Sequence, residues 1–340
     1  MPRNGLGVEK ETVDITIIGG GPTGLYGLFY AGMRGVSARV IDALPELGGQ
    51  LTALYPEKDV FDVAGFPRIL AKDLARDLVA QGLQFNADVC LGERVLDLNP
   101  DDGGFGLRTN KGPRPTRTVV IAGGKGAFKS RTLRVPGWDE FLNRGITTRV
   151  RDPESFRGKR VLLVGGGDSA FDWSWALRNI AAELTQIHRS DRYRAHESTV
   201  AQVEGAHERG ELRLRTFYTV REIHGGERVE AATIGHTKTK EIERLEVDEI
   251  LALIGFVPNL GPIAEWGLEL RKRCIVVDSR MRTNLPGVYA AGDIATYDGK
   301  LELISTGFGE AAIAVNNAVH HLDPSVKVNP GHSTDYKVFK

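Results

Sequence analysis

The apolar positions of this chain fall into short runs of Ile, Val and Leu that break on glycine, the pattern of strands buried on both faces. The first run, Asp14-Ile-Thr-Ile-Ile, enters Gly19-Gly-Gly-Pro-Thr-Gly24, and residues 25–34 continue as a helix. Strand, glycine turn and helix in that order predict a dinucleotide-binding turn: Gly19 makes the tight turn, Gly21 admits a pyrophosphate, and Gly24 lets the helix pack close to the strand. The helix start, with Thr23 in its first turn, offers unpaired N–H groups and a positive dipole end. The next strand, 38–42, ends on Asp42, 23 residues after Gly19, where a carboxylate meets a ribose hydroxyl.

The same pattern recurs. Residues 160–164 form an apolar strand that enters Gly165-Gly-Gly-Asp-Ser-Ala170, with Gly165 and Gly167 in the first two glycine positions and Ala170 in the third. Asp168 and Ser169 open the following helix. The second strand of this unit ends at His188, again 23 residues on, but in place of an acid it carries His188-Arg-Ser-Asp-Arg-Tyr-Arg194. A 2′-phosphate repels carboxylate and is held by guanidinium groups, so Arg189 and Arg194 predict NADP rather than NAD. Between the two turns the periodicity predicts a helix over 73–81, a small antiparallel insertion made of strands 89–98 and 105–109, a buried strand over 118–124, and a connection over 125–156. Further strands are expected over 213–219, 229–239, 249–255, 274–278 and 288–293, followed by a helix over 309–321. Asp293, after glycine, is placed to accept from the hydroxyls of a polyol chain. The polar tail, 324–340, reads as a frayed end.

Composition narrows the class without naming the chemistry. The 340 residues suit two domains, and 44 basic residues balance 44 acidic ones, so no global field argues for nucleic acid or membrane as partner. Cys90 and Cys274 are far apart in sequence and form no C-x-x-C pair, which argues against a disulfide framework, a metal site and a local dithiol. No apolar run approaches a membrane span and Met1 to Glu11 has no apolar signal region, so a cytoplasmic protein is expected.

Together with Gly48-Gly-Gln-Leu-Thr-Ala-Leu-Tyr-Pro-Glu-Lys58, Val63-Ala-Gly-Phe-Pro67, Gly126-Ala-Phe-Lys129, Ala291-Gly-Asp-Ile294, Gly307-Phe-Gly-Glu-Ala311 and His332-Ser-Thr334, these motifs resemble a known family. It is that of the thioredoxin reductase type flavoproteins, in particular its ferredoxin–NADP reductase subgroup lacking the dithiol. The resemblance spans the whole chain. It implies an α/β fold of two Rossmann-like three-layer dinucleotide-binding domains, the second inserted in the first: an FAD-binding domain over 1–124 and 287–340, and an NADPH-binding domain over 125–286. It implies FAD contacts at Asp42, Gln50, Tyr55, Val95, Phe128, Asp293 and Thr334. Tyr55 would stack on one flavin face and His332, in the tail, on the other. Relatives usually carry a second arginine at the position of Ser190.

The activity implied is transfer of hydride from NADPH to FAD and of single electrons to ferredoxin or a flavodoxin-like acceptor, by a homodimer. The alternatives are an NADPH-dependent flavin reductase of a small disulfide or quinone, and a non-catalytic flavin-binding redox sensor.

Overall fold

The computed structural model describes residues 11–126, 129–150, 152–257 and 259–335. The chain divides into two compact units, Met1–Ala127 with Pro258–Lys340, and Phe128–Val257.

The first unit is built on strand β1 (Val13–Ile18), helix α1 (Pro22–Met33) and strand β2 (Ala38–Ile41). Helix α2 (Ala71–Gly82) then leads to β3 (Asp88–Cys90), β4 (Val95–Asp101), β5 (Gly104–Thr109) and β6 (Gly112–Ile121). Strands β3, β2, β1 and β6 lie side by side in parallel. The long β6 shares its outer edge. Its first half pairs antiparallel with β5, and its second half pairs in parallel with Val288–Ala290. That late strand brings the C-terminal segment into the first sheet. Ile15 and Ile17 of β1 share a buried cluster with Leu28 and Ala31 of α1 and with Ala311, Ala314 and Val315 of the long helix Ile304–Leu322.

The antiparallel insertion expected over 89–98 splits: residues 88–90 are a parallel strand of the main sheet, and only 95–109 form the hairpin. The strand expected to begin at 118 begins at Gly112, despite Pro113 and Pro115. Residues 112–115 pair with β5 on one side only, and β1 joins at Thr116. Proline is tolerated there because its missing N–H faces an unpaired edge.

The second unit is a five-stranded parallel sheet ordered Ile146–Thr147, Glu249–Ala252, β7 (Arg160–Val164), β8 (Glu183–His188) and β9 (Arg213–Thr216). Side chains alternate along β7. Val161 and Leu163 join Phe171 of α3 (Asp168–Leu177) and Val203 of α4 (Glu197–Glu208), whereas Leu162 and Val164 face Val220, Ala232 and Ile234 of an antiparallel sheet. Helices, parallel sheet and antiparallel sheet thus form three layers. The unit ends at Val257, and residues 258–286, expected in the second domain, fall in the first unit. Trp266, Leu268 and Ile275 are buried in the first core, and the Trp266 indole N–H donates to the Leu96 carbonyl at 3.2 Å.

Candidate functional site

The first glycine turn leaves the C-terminal end of β1 with Gly19 donating to the Ile41 carbonyl at 2.9 Å. A Cβ on Gly24 would lie 1.8 Å from the Gly19 carbonyl oxygen, so only glycine permits this helix start. No side chain caps α1, Pro22 sits at its start, and a Cβ on Gly21 would meet only the Gly49 Cα, at 3.8 Å. Space over uncapped helix N–H groups is what a pyrophosphate needs. The Asp42 carboxylate accepts from the Gly20 N–H at 2.6 Å and the Leu44 N–H at 2.7 Å. Burial pushes its pKa up, against the pull of these two bonds. A carboxylate has about four acceptor positions, so capacity for a ribose hydroxyl remains.

Other expected residues gather on this turn. Gly48 donates to the Gly20 carbonyl at 2.9 Å, which lays residues 47–50 against it, and the Gln50 amide nitrogen is 3.4 Å from where a Gly124 Cβ would stand. Tyr55 is half-buried, its phenol pushed up to about 12 by burial and then by the charges of Asp293 and Asp62. Asp293 lies in the short turn Gly292–Ile294. Burial raises its pKa; Lys125 and Lys300 lower it, and Glu302 and Glu310 raise it. Thr23 packs beneath this turn, because a Cβ on Gly292 would be 2.7 Å from its hydroxyl and one on Gly307 2.4 Å.

Of the remaining expected contacts, Phe128 lies outside the described residues. Val95 comes two residues after Glu93, whose N–H donates to the Asp42 carbonyl at 2.9 Å, and its side chain is 5% exposed within the apolar core. His332 and Thr334 are exposed. The tail before them is tied to Arg34, which donates to the Lys327 carbonyl at 2.9 Å and the Val328 carbonyl at 3.1 Å. Arg34 ends α1, about 20 Å along the helix from Gly21.

The second turn is built alike. No side chain caps α3, and a Cβ on Gly167 would meet nothing within 4 Å. Gly165 donates to Ile187 at 3.1 Å, and a Cβ there would be 2.4 Å from the Leu253 carbonyl oxygen and 2.9 Å from the Ala170 Cβ. Ser169 is exposed in the first helical turn, while Asp168 accepts from the His196 N–H at 3.0 Å and so ties α3 to the start of α4.

Residues 188–194 fold back onto the glycines: Arg194 donates through its backbone N–H to the Gly166 carbonyl at 2.8 Å. A Cβ on Gly166 would be 2.4 Å from the His188 ring. His188 bonds the Arg192 carbonyl at 3.2 Å. Its pKa is lowered by burial first, then by the charges of Arg189 and Arg194. Both guanidinium groups are exposed and without an ion-pair partner among the described residues. This end of the sheet therefore presents free positive charge beside an open helix N-terminus.

The sequence pattern of the family described as pyridine nucleotide-disulphide oxidoreductase matches residues 13–316, and so takes in both glycine turns. The chain belongs to this family. Among its relatives, a ferredoxin–NADP reductase of Thermus thermophilus is 51% identical over 329 residues, covering 96% of this chain and 98% of that one. Ferredoxin–NADP reductase 2 of Shouchella clausii is 48% identical over 328 residues, with the same coverage. Of solved structures, a thioredoxin reductase of T. acidophilum superposes with a TM-score of 0.77 at 26% identity, covering 94% of this chain and 100% of that one.

Two further polar residues of this pyridine nucleotide-disulphide oxidoreductase hold the turns, neither of them expected as a site residue from the sequence. Gln186, buried in β8, donates through its amide to the Gly165 carbonyl at 3.1 Å; a glutamine inside an apolar strand was the available signal. Glu310 is 3% exposed and accepts from the Gly292 N–H at 2.7 Å and the Tyr297 hydroxyl at 2.6 Å, besides pairing with Lys300. An acid on the small-residue face of the long helix was its signal.

Proposed function

We propose that the protein is an FAD-dependent ferredoxin–NADP reductase, with FAD held by the first unit and NADPH by the second. The contrast between the two strand ends carries this reading: a carboxylate follows the first glycine turn, and arginines whose guanidinium groups have no ion-pair partner among the described residues follow the second. The open ground above Gly21 and Gly167 fits a dinucleotide phosphate at each turn. The names of relatives that align over nearly the whole chain agree with it.

Bound FAD supplies two-electron acceptance from a nicotinamide and one-electron delivery to an iron–sulfur or flavin protein. The chain's own residues position and screen. The glycine turns and helix starts hold pyrophosphate through backbone N–H groups. Asp42 accepts from a ribose hydroxyl, Asp293 from the flavin's polyol chain, and Gln50 supplies an amide beside Gly124. Tyr55, a half-buried phenol, offers an uncharged ring for stacking. Arg189 and Arg194 take the 2′-phosphate.

No helix among the described residues is long and apolar enough to cross a membrane, which suits a cytoplasmic enzyme meeting a diffusing carrier. Cys90 and Cys274 are free thiols whose pKa values burial raises, Cys90 to about 11, which suits neither for dithiol chemistry. We assign a homodimer and a flavin-covering role for His332 to the same reading; removal of residues after Asn329 should then expose the flavin and change its fluorescence. The test of the whole is a visible spectrum of the purified protein, anaerobic titration with NADPH and NADH, and ferredoxin-dependent cytochrome c reduction. A flavin spectrum bleached preferentially by NADPH is expected. A protein that binds FAD yet is not reduced by NADPH would overturn the enzyme.

A further inference from the structure

The Glu310 carboxylate is among the most deeply buried charges of the first unit, and its partners come from one short stretch of chain. The Gly292 N–H donates to one oxygen at 2.7 Å. The other oxygen takes the Tyr297 hydroxyl at 2.6 Å and the Lys300 ammonium, whose side chain is only 7% exposed. The ammonium also lies 5.6 Å from the Tyr297 ring centre. Gly292 has φ +78°, a left-handed conformation, and begins the turn that carries Asp293. From below, Thr23 of the glycine-turn helix closes on Gly292 and Gly307; Cys274 reaches the Asp293 carbonyl with its sulfur at 3.8 Å. Asp293 feels Lys300 and Glu310 with opposite sign.

A buried ion pair seldom stabilises a fold more than apolar residues of the same volume, whereas it fixes geometry closely because a displaced partner leaves an uncompensated charge. Here the geometry fixed is that of the Asp293 turn, relative to the helix start that receives phosphate.

We propose that Glu310 and Lys300 are positioning residues for the flavin nucleotide: they hold the Gly292–Asp293 turn in its binding conformation and balance the charge beneath it. The proposal rests on the first unit's being the FAD site. It assigns the pair two separable effects. Loss of either partner loosens the turn and weakens FAD. Loss of the negative charge alone leaves Lys300 uncompensated and favours the electron-rich, reduced flavin, whereas loss of the positive charge alone disfavours it.

The test compares the FAD-loaded protein with Glu310→Gln, Lys300→Met and the double variant. FAD dissociation is followed by flavin fluorescence and midpoint potential by anaerobic dye equilibration. Each single variant should raise the FAD dissociation constant about tenfold or more. The potential should rise in Glu310→Gln, fall in Lys300→Met, and return close to the wild-type value in the double variant, with FAD still weakened. The double variant buries no unpaired charge, so it remains informative should a single variant not fold. Unchanged FAD affinity in the double variant, or potentials that move the same way in both single variants, overturns the proposal. A wild-type protein that binds no FAD would instead remove the reading of the site on which the proposal rests.

Discussion

Replacing Arg189 by alanine separates two nucleotides that differ by a single phosphate. The guanidinium is exposed at the end of β8 and has no ion-pair partner among the described residues, so its removal breaks no internal bridge and leaves the fold intact. A charge-assisted hydrogen bond to phosphate contributes about 1.5–3 kcal/mol, and solvent screening at an exposed site favours the lower figure. About 1.5 kcal/mol is roughly tenfold in Kd. Anaerobic titration should therefore show NADPH binding weakened about tenfold and NADH binding nearly unchanged, with the difference shrinking at high salt. Arg194→Ala should behave likewise. The imidazole of His188 reports independently. Its pKa is depressed by burial and then by the charges of Arg189 and Arg194, so removing Arg189 should raise it, as read from ring-proton chemical shifts. Equal weakening of both nucleotides would refute the assignment of this cluster to the 2′-phosphate.

Further outcomes follow from individual contacts. Asp293 has a folded pKa raised above its ordinary 3.8, mainly by burial, so its own contribution to stability is fully present below that value and is lost as pH rises through the folded pKa. Asp293→Asn should flatten this part of the melting-temperature profile while weakening FAD; parallel profiles would show that Asp293 does not titrate as described. Gly24→Ala places a Cβ 1.8 Å from the Gly19 carbonyl, against backbone that cannot swing aside, and should destabilise by about 1–3 kcal/mol or more in denaturant melts. Phe171, fully buried on the inner face of α3 and 4.7 Å from the Tyr193 ring centre, should cost about 3–5 kcal/mol when replaced by alanine. A loss under 1 kcal/mol would contradict that packing.

The two glycine turns, the helices that follow them and the contrast between Asp42 and Arg189 were legible because each depends on residues close in sequence. Turn geometry, helical spacing and the charge at a strand end are encoded within some 25 residues. Other features were not legible for the converse reason. Pro113 and Pro115 argue locally against a strand, yet β5 pairs with that segment on the side where no proline N–H is needed. Residues 258–286 follow the second unit in sequence but bury Trp266, Leu268 and Ile275 in the first.

The sequence by itself determined two glycine turns of the same design, the first followed by a carboxylate at its strand end and the second by arginines. Only the tertiary structure decided how the chain's end completes the first unit. Val288–Ala290 takes the edge of β6 that the hairpin leaves free, and this sets the Gly292–Asp293 turn over Thr23. Glu310 looks like a surface acid in a linear helix. It becomes a buried ligand of that turn because the fold brings Gly292, Tyr297 and Lys300 to it, and a carboxylate is stable out of water only where such donors converge.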